Sequence, residues 1–222
     1  MTDHPIFFKS DMVRAILDGR KTQTRRIIKN MPKEWHRGQT GFENNPHGDE
    51  EVIIHGDCGS ETIYCRYSVG DLLWVRENVR TICYSGGPDF GYGEFCIEYL
   101  ADEQLVKCPD ELEKWWRHNW HVRPSTTIPS IHMPKDACRL WLKVKSVRVE
   151  RVQEISEADV RAEGVSGVCN FGENIDHVAG GCDCARDRFV GLWDSIYAKR
   201  GYGWEVNPGV WVVEFERYDN TT

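Results

Sequence analysis

Arg139-Leu140-Trp141-Leu142-Lys143-Val144-Lys145-Ser146-Val147-Arg148-Val149-Glu150 is the clearest strand in the chain. Leu140, Leu142 and Val144 alternate with polar neighbours, the pattern of a strand with one buried face. Val147 and Val149 continue in the opposite phase, and a bulge near Lys145-Ser146 accounts for the change. Downstream, Ser156-Glu157-Ala158-Asp159 matches a variant of the capping box and starts a short helix that ends at Gly164. Residues 165–184 read as a loop containing Gly and Cys. Phe189, Leu192, Trp193, Ile196 and Tyr197 then follow at i, i+3, i+4, i+7 and i+8, the spacing of an amphipathic helix stopped by Gly201 and Gly203. Residues 210–217 form a last strand.

Upstream, Pro5-Ile6-Phe7-Phe8 reads as a short strand. Ser10 or Asp11 can cap a helix carrying Met12, Val13, Ile16 and Leu17, which Gly19 ends. Arg20 to Lys29 predicts a turn and a strand. Residues 72–75 begin a strand after the Val69-Gly70-Asp71 turn. Residues 94–100 are another, beyond the break at Ser85-Gly86-Gly87-Pro88. Residues 30–66 have little periodicity and read as a long loop or insertion. Residues 102–134 belong to a second insertion, with a helical piece around residues 111–117 and four prolines. Strands outnumber helices and no regular βαβ alternation occurs. The expectation is an α+β fold: a mostly antiparallel barrel with peripheral helices. It forms one domain over residues 1–222, with loop-rich insertions at about 30–66 and 84–130.

The 222 residues are 40% hydrophobic and 28% charged, a globular balance. Net charge is −7, which argues against a generic basic nucleic-acid coat protein. Yet residues 9–37 hold nine Lys/Arg against three acids, a net +6, so the rest of the chain is −13. A focused positive patch on an acidic body suits an anionic ligand at one site; a solvated basic helix end is the plainer reading. No apolar run approaches a membrane span, and Met1-Thr2-Asp3-His4 opens no signal peptide, so a cytoplasmic location is expected. Nine irregularly spaced cysteines, an odd number, point to reduced thiols.

The densest polar motif is Gly19-Arg20-Lys21-Thr22-Gln23-Thr24-Arg25-Arg26. Alternation puts Thr22, Thr24 and Arg26 on one strand face, with Lys21 approaching from the turn. The short helix adds Glu157, Asp159 and, at its C-terminal end, Glu163. Gly19, Lys21 and Arg26 match the G-x-K-x-x-x-x-R signature of ASCH domains, and the chain resembles that family, which is related to the RNA-binding PUA fold. Ile16-Leu17-x-Gly19-Arg20-Lys21-Thr22-x-Thr24-x-Arg26 and Ser156 to Glu163 are similar to the catalytic block and acidic helix of small bacterial ASCH enzymes that hydrolyse N4-acetylcytidine. Gly70 to Glu77, Pro129 to Pro134, Leu192 to Ile196 and Trp211 to Phe215 resemble larger ASCH proteins of phages and prophages. This chain is about twice the length of the small enzymes, and residues 30–66 and 84–130 have no counterpart there.

The resemblance implies catalytic roles for Lys21, Thr24 and Glu163. Amide hydrolysis needs a nucleophile, a proton carrier and charge stabilisation. Thr24 is either the nucleophile, which requires a neighbouring base, or the group that positions a water. Lys21 serves as a base when neutral. Burial and the cations Arg20, Arg25 and Arg26 favour that form, and a close Glu163 opposes it. Glu163 is a general acid/base or a hydrogen-bond acceptor for the base. Arg26 is suited to a phosphate or an oxyanion. Arg20, Thr22, Arg25, Arg26, Trp74, Arg76 and Glu77 are the candidate ligand-binding residues. The ligand expected is a nucleoside or nucleic acid, either RNA or modified DNA, and no membrane. The alternatives are a binding module without catalysis and a phage morphogenesis or interaction protein that keeps the fold.

Cys169, His177, Cys182 and Cys184 lie within sixteen residues and are a candidate structural zinc site, although C-x-C ligation is atypical. No other cofactor is expected. Trp115, Trp116 and Trp120 alternate with Arg117, His118, His121 and Arg123, a base-stacking surface or simple packing of the insertion. No Walker A, G-x-G-x-x-G, G-x-S-x-G or H-E-x-x-H motif occurs, which disfavours nucleotide motors, dinucleotide enzymes, α/β-hydrolases and zincins.

Overall fold

The computed structural model describes residues 2–29, 31, 40–44, 50–56, 59–83, 95–110, 112–114, 127–165 and 184–219. In chain order the strands are β1 (Asp3–Phe7), β2 (Gln23–Ile27), β3 (Thr40–Asn44), β4 (Glu50–Gly56), β5 (Gly59–Tyr64) and β6 (Leu72–Arg76). Then come β7 (Val79–Cys83), β8 (Phe95–Tyr99), β9 (Gln104–Lys107), β10 (Thr127–Ile128), β11 (Trp141–Arg151) and β12 (Gly209–Tyr218). The main helices are α1 (Ser10–Leu17), α2 (Glu157–Ala162) and α3 (Cys184–Tyr197). The fold is α+β with mostly antiparallel strands. The sequence predicts one barrel; among the described residues the strands instead form three open sheets of five, four and three strands. Strands β3, β4 and β5 of the first insertion pair with one another, and β8, β9 and β10 of the second form a sheet with β7, so neither set is available to close the five-stranded sheet. Within the stretch expected to be irregular, β3, β4 and β5 pair antiparallel in that order, with Phe42 opposite Val52 and Val52 opposite Ile63.

The chain divides into two compact units: residues 1–18, 72–142 and 217–222, and residues 19–71 and 143–216. In the first, β1 runs parallel to β6, with Pro5 opposite Trp74 and Phe7 opposite Arg76. The Val75 N–H donates to Leu140 O at 3.0 Å, at the entry to β11. A second sheet, in the order β10-β7-β8-β9, is antiparallel. Its core is Val79, Phe95, Ile97, Tyr99, Cys108, Leu112, Ile128, Met133 and Ala137. Helix α1 buries Val13, Ala15 and Ile16. Its N-cap is Lys9 in extended backbone, with no side-chain cap from Ser10 or Asp11. Gly19, at φ +72°, takes the left-handed turn that follows, a conformation a Cβ disfavours.

In the second unit β12 lies between β11 and β2. β12 pairs antiparallel with β2, so that Glu214 faces Gln23, Val213 faces Thr24 and Val212 faces Arg25. Burial along β11 changes phase between Val144 and Val147, as the sequence predicts. Val152, Ile155, Val160, Phe189, Trp193, Val210 and Val212 form one apolar core with α2 and α3 above the sheet. The Ser156 hydroxyl accepts from Asp159 N at 3.1 Å, and Asp159 Oδ2 accepts from Ser156 N at 3.3 Å, so the capping box predicted for α2 is formed.

Candidate functional site

The site is built on β2, the edge strand beside β12, in the second unit. After the Gly19 turn the chain enters β2. There Gln23 and Arg25, two residues apart, project from one strand face. Asp159 and Glu163, four residues apart, project from one side of α2 and its C-cap. The two pairs meet. The Gln23 amide nitrogen donates to Asp159 O and Oδ1, both at 3.0 Å. Arg25 Nη1 donates to Glu163 Oε1 at 3.1 Å, and Arg25 Nη2 to Glu150 Oε2 of β11 at 2.9 Å. Lys21 forms an isolated antiparallel bridge with Glu163. Its Nζ donates to Glu163 Oε2 at 2.7 Å, Glu163 O at 2.9 Å and Gln23 O at 2.8 Å.

Three acceptors around one nitrogen match the three N–H bonds of an ammonium, so the resting pair is Lys21 ammonium with Glu163 carboxylate. The Lys21 side chain is 0% exposed and that of Glu163 6%. Burial is the largest influence on Lys21 and lowers its pKa from 10.5. The charge and hydrogen bond of Glu163 oppose this, and the charges of Arg26 and Arg25 add to the lowering. Arg148 extends the network, donating from Nε to Glu150 Oε1 at 2.7 Å and from Nη2 to Asp159 Oδ1 at 3.2 Å, and pairing through Nη1 with Glu214. Burial works against the Asp159 carboxylate. Hydrogen bonds from Ser156 and Gln23 and the Arg25 charge outweigh it and hold its pKa below the ordinary value. The cluster thus sets Lys21, Arg25 and Arg148 against Glu150, Asp159, Glu163 and Glu214.

Lys21 and Glu163 are therefore brought together, and Thr24 is placed differently. Alternation sends it to the β2 face opposite Gln23 and Arg25, beside Val213, where it is 5% exposed. Among the described residues its hydroxyl makes no hydrogen bond to Lys21 or Glu163. Arg26, opposite Trp211, shares the Thr24 face and lies close enough to Tyr67 for its charge to act on that phenol, whose pKa burial raises. Lys21 does not join the Thr22, Thr24 and Arg26 face, as sequence alone suggested. It lies with Gln23 and Arg25 on the side of the carboxylates, which a buried ammonium needs. Thr22 is exposed. Its backbone N–H donates to Ala162 O and its carbonyl accepts from Phe215 N, each at 2.8 Å, which ties the end of α2 to β12. Arg20 is exposed and donates to Gly164 O at 3.2 Å.

Trp74, Arg76 and Glu77 belong to the first unit. The Arg76 guanidinium lies 4.9 Å from the Phe7 ring centre and 5.2 Å from that of Trp74, a cation sandwiched on the β1/β6 face, and it donates to Ile131 O. Glu77 is enclosed and receives Arg139 through two bonds of 2.9 Å. Arg139 also forks onto Asp102 through two bonds of 2.8 Å and lies 4.0 Å from the Tyr99 ring centre. Cys169, His177 and Cys182 lie outside the described residues, as do Trp115, Trp116 and Trp120; of Cys184 the place at the start of α3 is described. Among the described residues no group of three or more His, Cys, Asp or Glu side chains could hold a metal ion, and no helix is long and apolar enough to cross a membrane.

Gln23, Arg148, Glu150 and Glu214 are the cluster members that sequence reasoning passed over. Arg148 and Glu150 sit two apart in the clearest strand, where polar residues at alternate positions read as the solvent face. The available signal was that three cations in Lys21, Arg25 and Arg26 cannot all enter a buried strand without acids from elsewhere. Compared with protein-family models, characterised proteins and solved structures, the chain matches none.

Proposed function

We propose that the chain has an ASCH-type, PUA-like architecture whose Lys21–Glu163 pair serves a pocket for a nucleobase, nucleoside or nucleic acid, and that it hydrolyses an N4-acylcytidine-type amide. The observation that carries this reading is the enclosed pair itself, a lysine whose affinity for its proton is lowered, 2.7 Å from a carboxylate. Perturbed titratable pairs of this kind cluster at functional sites. The Gly19, Lys21 and Arg26 spacing supports the same assignment.

In the reaction a water adds to the acyl carbonyl, the C–N4 bond breaks, and N4 must gain a proton as it leaves. Lys21 is fully enclosed, so Glu163, the more exposed partner, meets the substrate and passes the Lys21 proton to N4. The proton given up by the attacking water restores the pair. The products are the carboxylic acid and cytidine. Thr24 lies on the other face of β2, and no step of this reaction is assigned to it. The exposed Arg20, which donates to Gly164 O beside Glu163, is assigned to the negative charge of the tetrahedral intermediate, and Arg26, on the other face of β2, to the negative charge of a longer ligand.

Full enclosure of Nζ also favours a second reading, in which the pair is a fixed clamp and the module binds RNA or modified DNA without turnover. Hydrolysis of N4-acetylcytidine by wild type and by Lys21→Ala, followed by chromatography, separates the two. Turnover that the variant loses supports the amidohydrolase. A well-folded wild type with no turnover removes it. Salt-sensitive oligonucleotide binding, weakened in Arg26→Ala, would then carry the binding module.

A further inference from the structure

Each oxygen of the Glu163 carboxylate has a cation: Lys21 Nζ at 2.7 Å from Oε2 and Arg25 Nη1 at 3.1 Å from Oε1. Arg25 is gripped at its other end by Glu150 Oε2 at 2.9 Å, and Glu150 Oε1 accepts from Arg148 Nε at 2.7 Å. The Arg25 side chain is 1% exposed, and its buried Nε has no hydrogen-bond acceptor among the described residues. Leaving a buried N–H unsatisfied is costly, so the guanidinium is not placed to meet its own hydrogen-bonding needs. Hydrogen bonds to two carboxylates on different elements, Glu163 and Glu150, fix it, with Asp159 Oδ2 at 3.5 Å from Nη2 as a third, and a rigid planar fork is suited to span them where an ammonium is not.

We propose that Arg25 is a positioning residue. Anchored by Glu150 of β11, it holds the Glu163 carboxylate so that Oε2 is presented to Lys21. The inference rests on the reading of Lys21 and Glu163 as a proton-carrying pair. The charged groups near that pair are Arg25 from the same face of β2, Arg26 from its other face, Asp159 from α2, and Arg148 and Glu150 from β11. Without Arg25, Glu163 closes on Lys21 alone and one neighbouring cation is gone. Without the Glu150 charge, Arg25 bears more strongly on Glu163.

The test is an NMR titration of the Lys21 side chain in the full chain with isotope-labelled lysine. The resonance is assigned by its loss in Lys21→Arg, and the fold is checked by amide spectra. Arg25→Gln is expected to raise the Lys21 midpoint, and Glu150→Gln to lower it. Loss of the fold would move both toward the ordinary 10.5, so opposite signs exclude unfolding as the cause. A folded Arg25→Gln protein with an unchanged or lowered midpoint overturns the proposal. Where Arg25→Gln does not fold, Glu150→Gln decides: a lower midpoint supports the proposal, and an unchanged or higher one overturns it. If wild type turns over N4-acetylcytidine, Arg25→Gln should lower kcat on the order of tenfold with KM little changed. Arg25→Lys should not restore it, and restoration by lysine overturns the positioning role. A wild type without turnover removes the hydrolase reading and leaves the titration decisive for Arg25.

Discussion

Glu163→Gln keeps the shape of the side chain and removes its charge. Two cations then lose a counter-ion in a place water does not reach, Lys21 with its side chain 0% exposed and Arg25 at 1%. Breaking a buried pair by removing one partner costs about 3–5 kcal/mol. Arg25 keeps Glu150 at 2.9 Å, and Lys21 can shed its proton, so the lower end of about 3 kcal/mol applies here. At about 2–4 °C per kcal/mol for a chain of this size, the melting temperature should fall by about 6–12 °C. Urea and thermal unfolding followed by both circular dichroism and tryptophan fluorescence would measure it, and coincident curves would justify the two-state treatment.

The pH dependence sharpens the test. The folded pKa of Lys21 lies below its unfolded 10.5, with burial the main cause. Between the two values the unfolded chain binds the extra proton, so stability from this group rises with pH across that window. Glu163→Gln removes the influence that opposes the lowering, which widens the window downward. The deficit of the variant should therefore shrink between about pH 7 and about pH 9. Lys21→Met combined with Glu163→Gln should recover part of the loss, because no buried ammonium remains. A deficit below about 0.5 kcal/mol, or one that is the same at both pH values, would refute the reasoning.

In the first unit Arg139→Met strands the enclosed Glu77, and a loss of about 3–5 kcal/mol in urea unfolding is expected. Burial already raises the Glu77 pKa above 4.5 against the pull of Arg139. The stability Glu77 contributes thus falls as pH rises through the window above 4.5, and the Arg139→Met deficit should narrow in mild acid; a deficit that widens there contradicts this. Ser156→Ala removes the cap on Asp159 N and should cost about 1 kcal/mol by chemical denaturation, whereas no change would mean the capping box is not holding α2. Burial pushes the Cys138 thiol up to about 11, so its alkylation near pH 8 should be far slower in the folded than in the unfolded chain; equal rates would show the thiol to be exposed.

Local pattern and long-range pairing were legible to different degrees. The phase change in β11 could be read because each half alternates on its own, and the capping box of α2 because all of its parts lie within four residues. The pairing of β3, β4 and β5 could not, since Val52, Ile53 and Ile54 are flanked by Glu50, Glu51 and Gly56 and acquire strand character from their neighbours β3 and β5. The excess of strands over helices and the absence of βαβ alternation favour an antiparallel barrel but say nothing about which strands become edges. Thr81 shows the same limit: it is 0% exposed inside β7, a strand that no apolar alternation announces.

The candidate site shows where reading by period stops. Alternation divides residues 21–26 into Lys21, Gln23 and Arg25 on one side and Thr22, Thr24 and Arg26 on the other. Each set contains an arginine and at least one smaller polar side chain, and strand geometry ranks neither. The choice comes from what lies across the interface. Asp159 and Glu163, four residues apart, place two carboxylates on one side of α2, and β11 brings Glu150 to the same space. Burying Arg25 and Lys21 is tolerable there because each finds carboxylate acceptors, and the opposite face would bring Arg26 alone to the three carboxylates instead of two cations. The acids select the face. A polar i, i+2 pair in a strand and an acidic i, i+4 pair in a short capped helix therefore form one signal when read together, although either alone reads as ordinary surface.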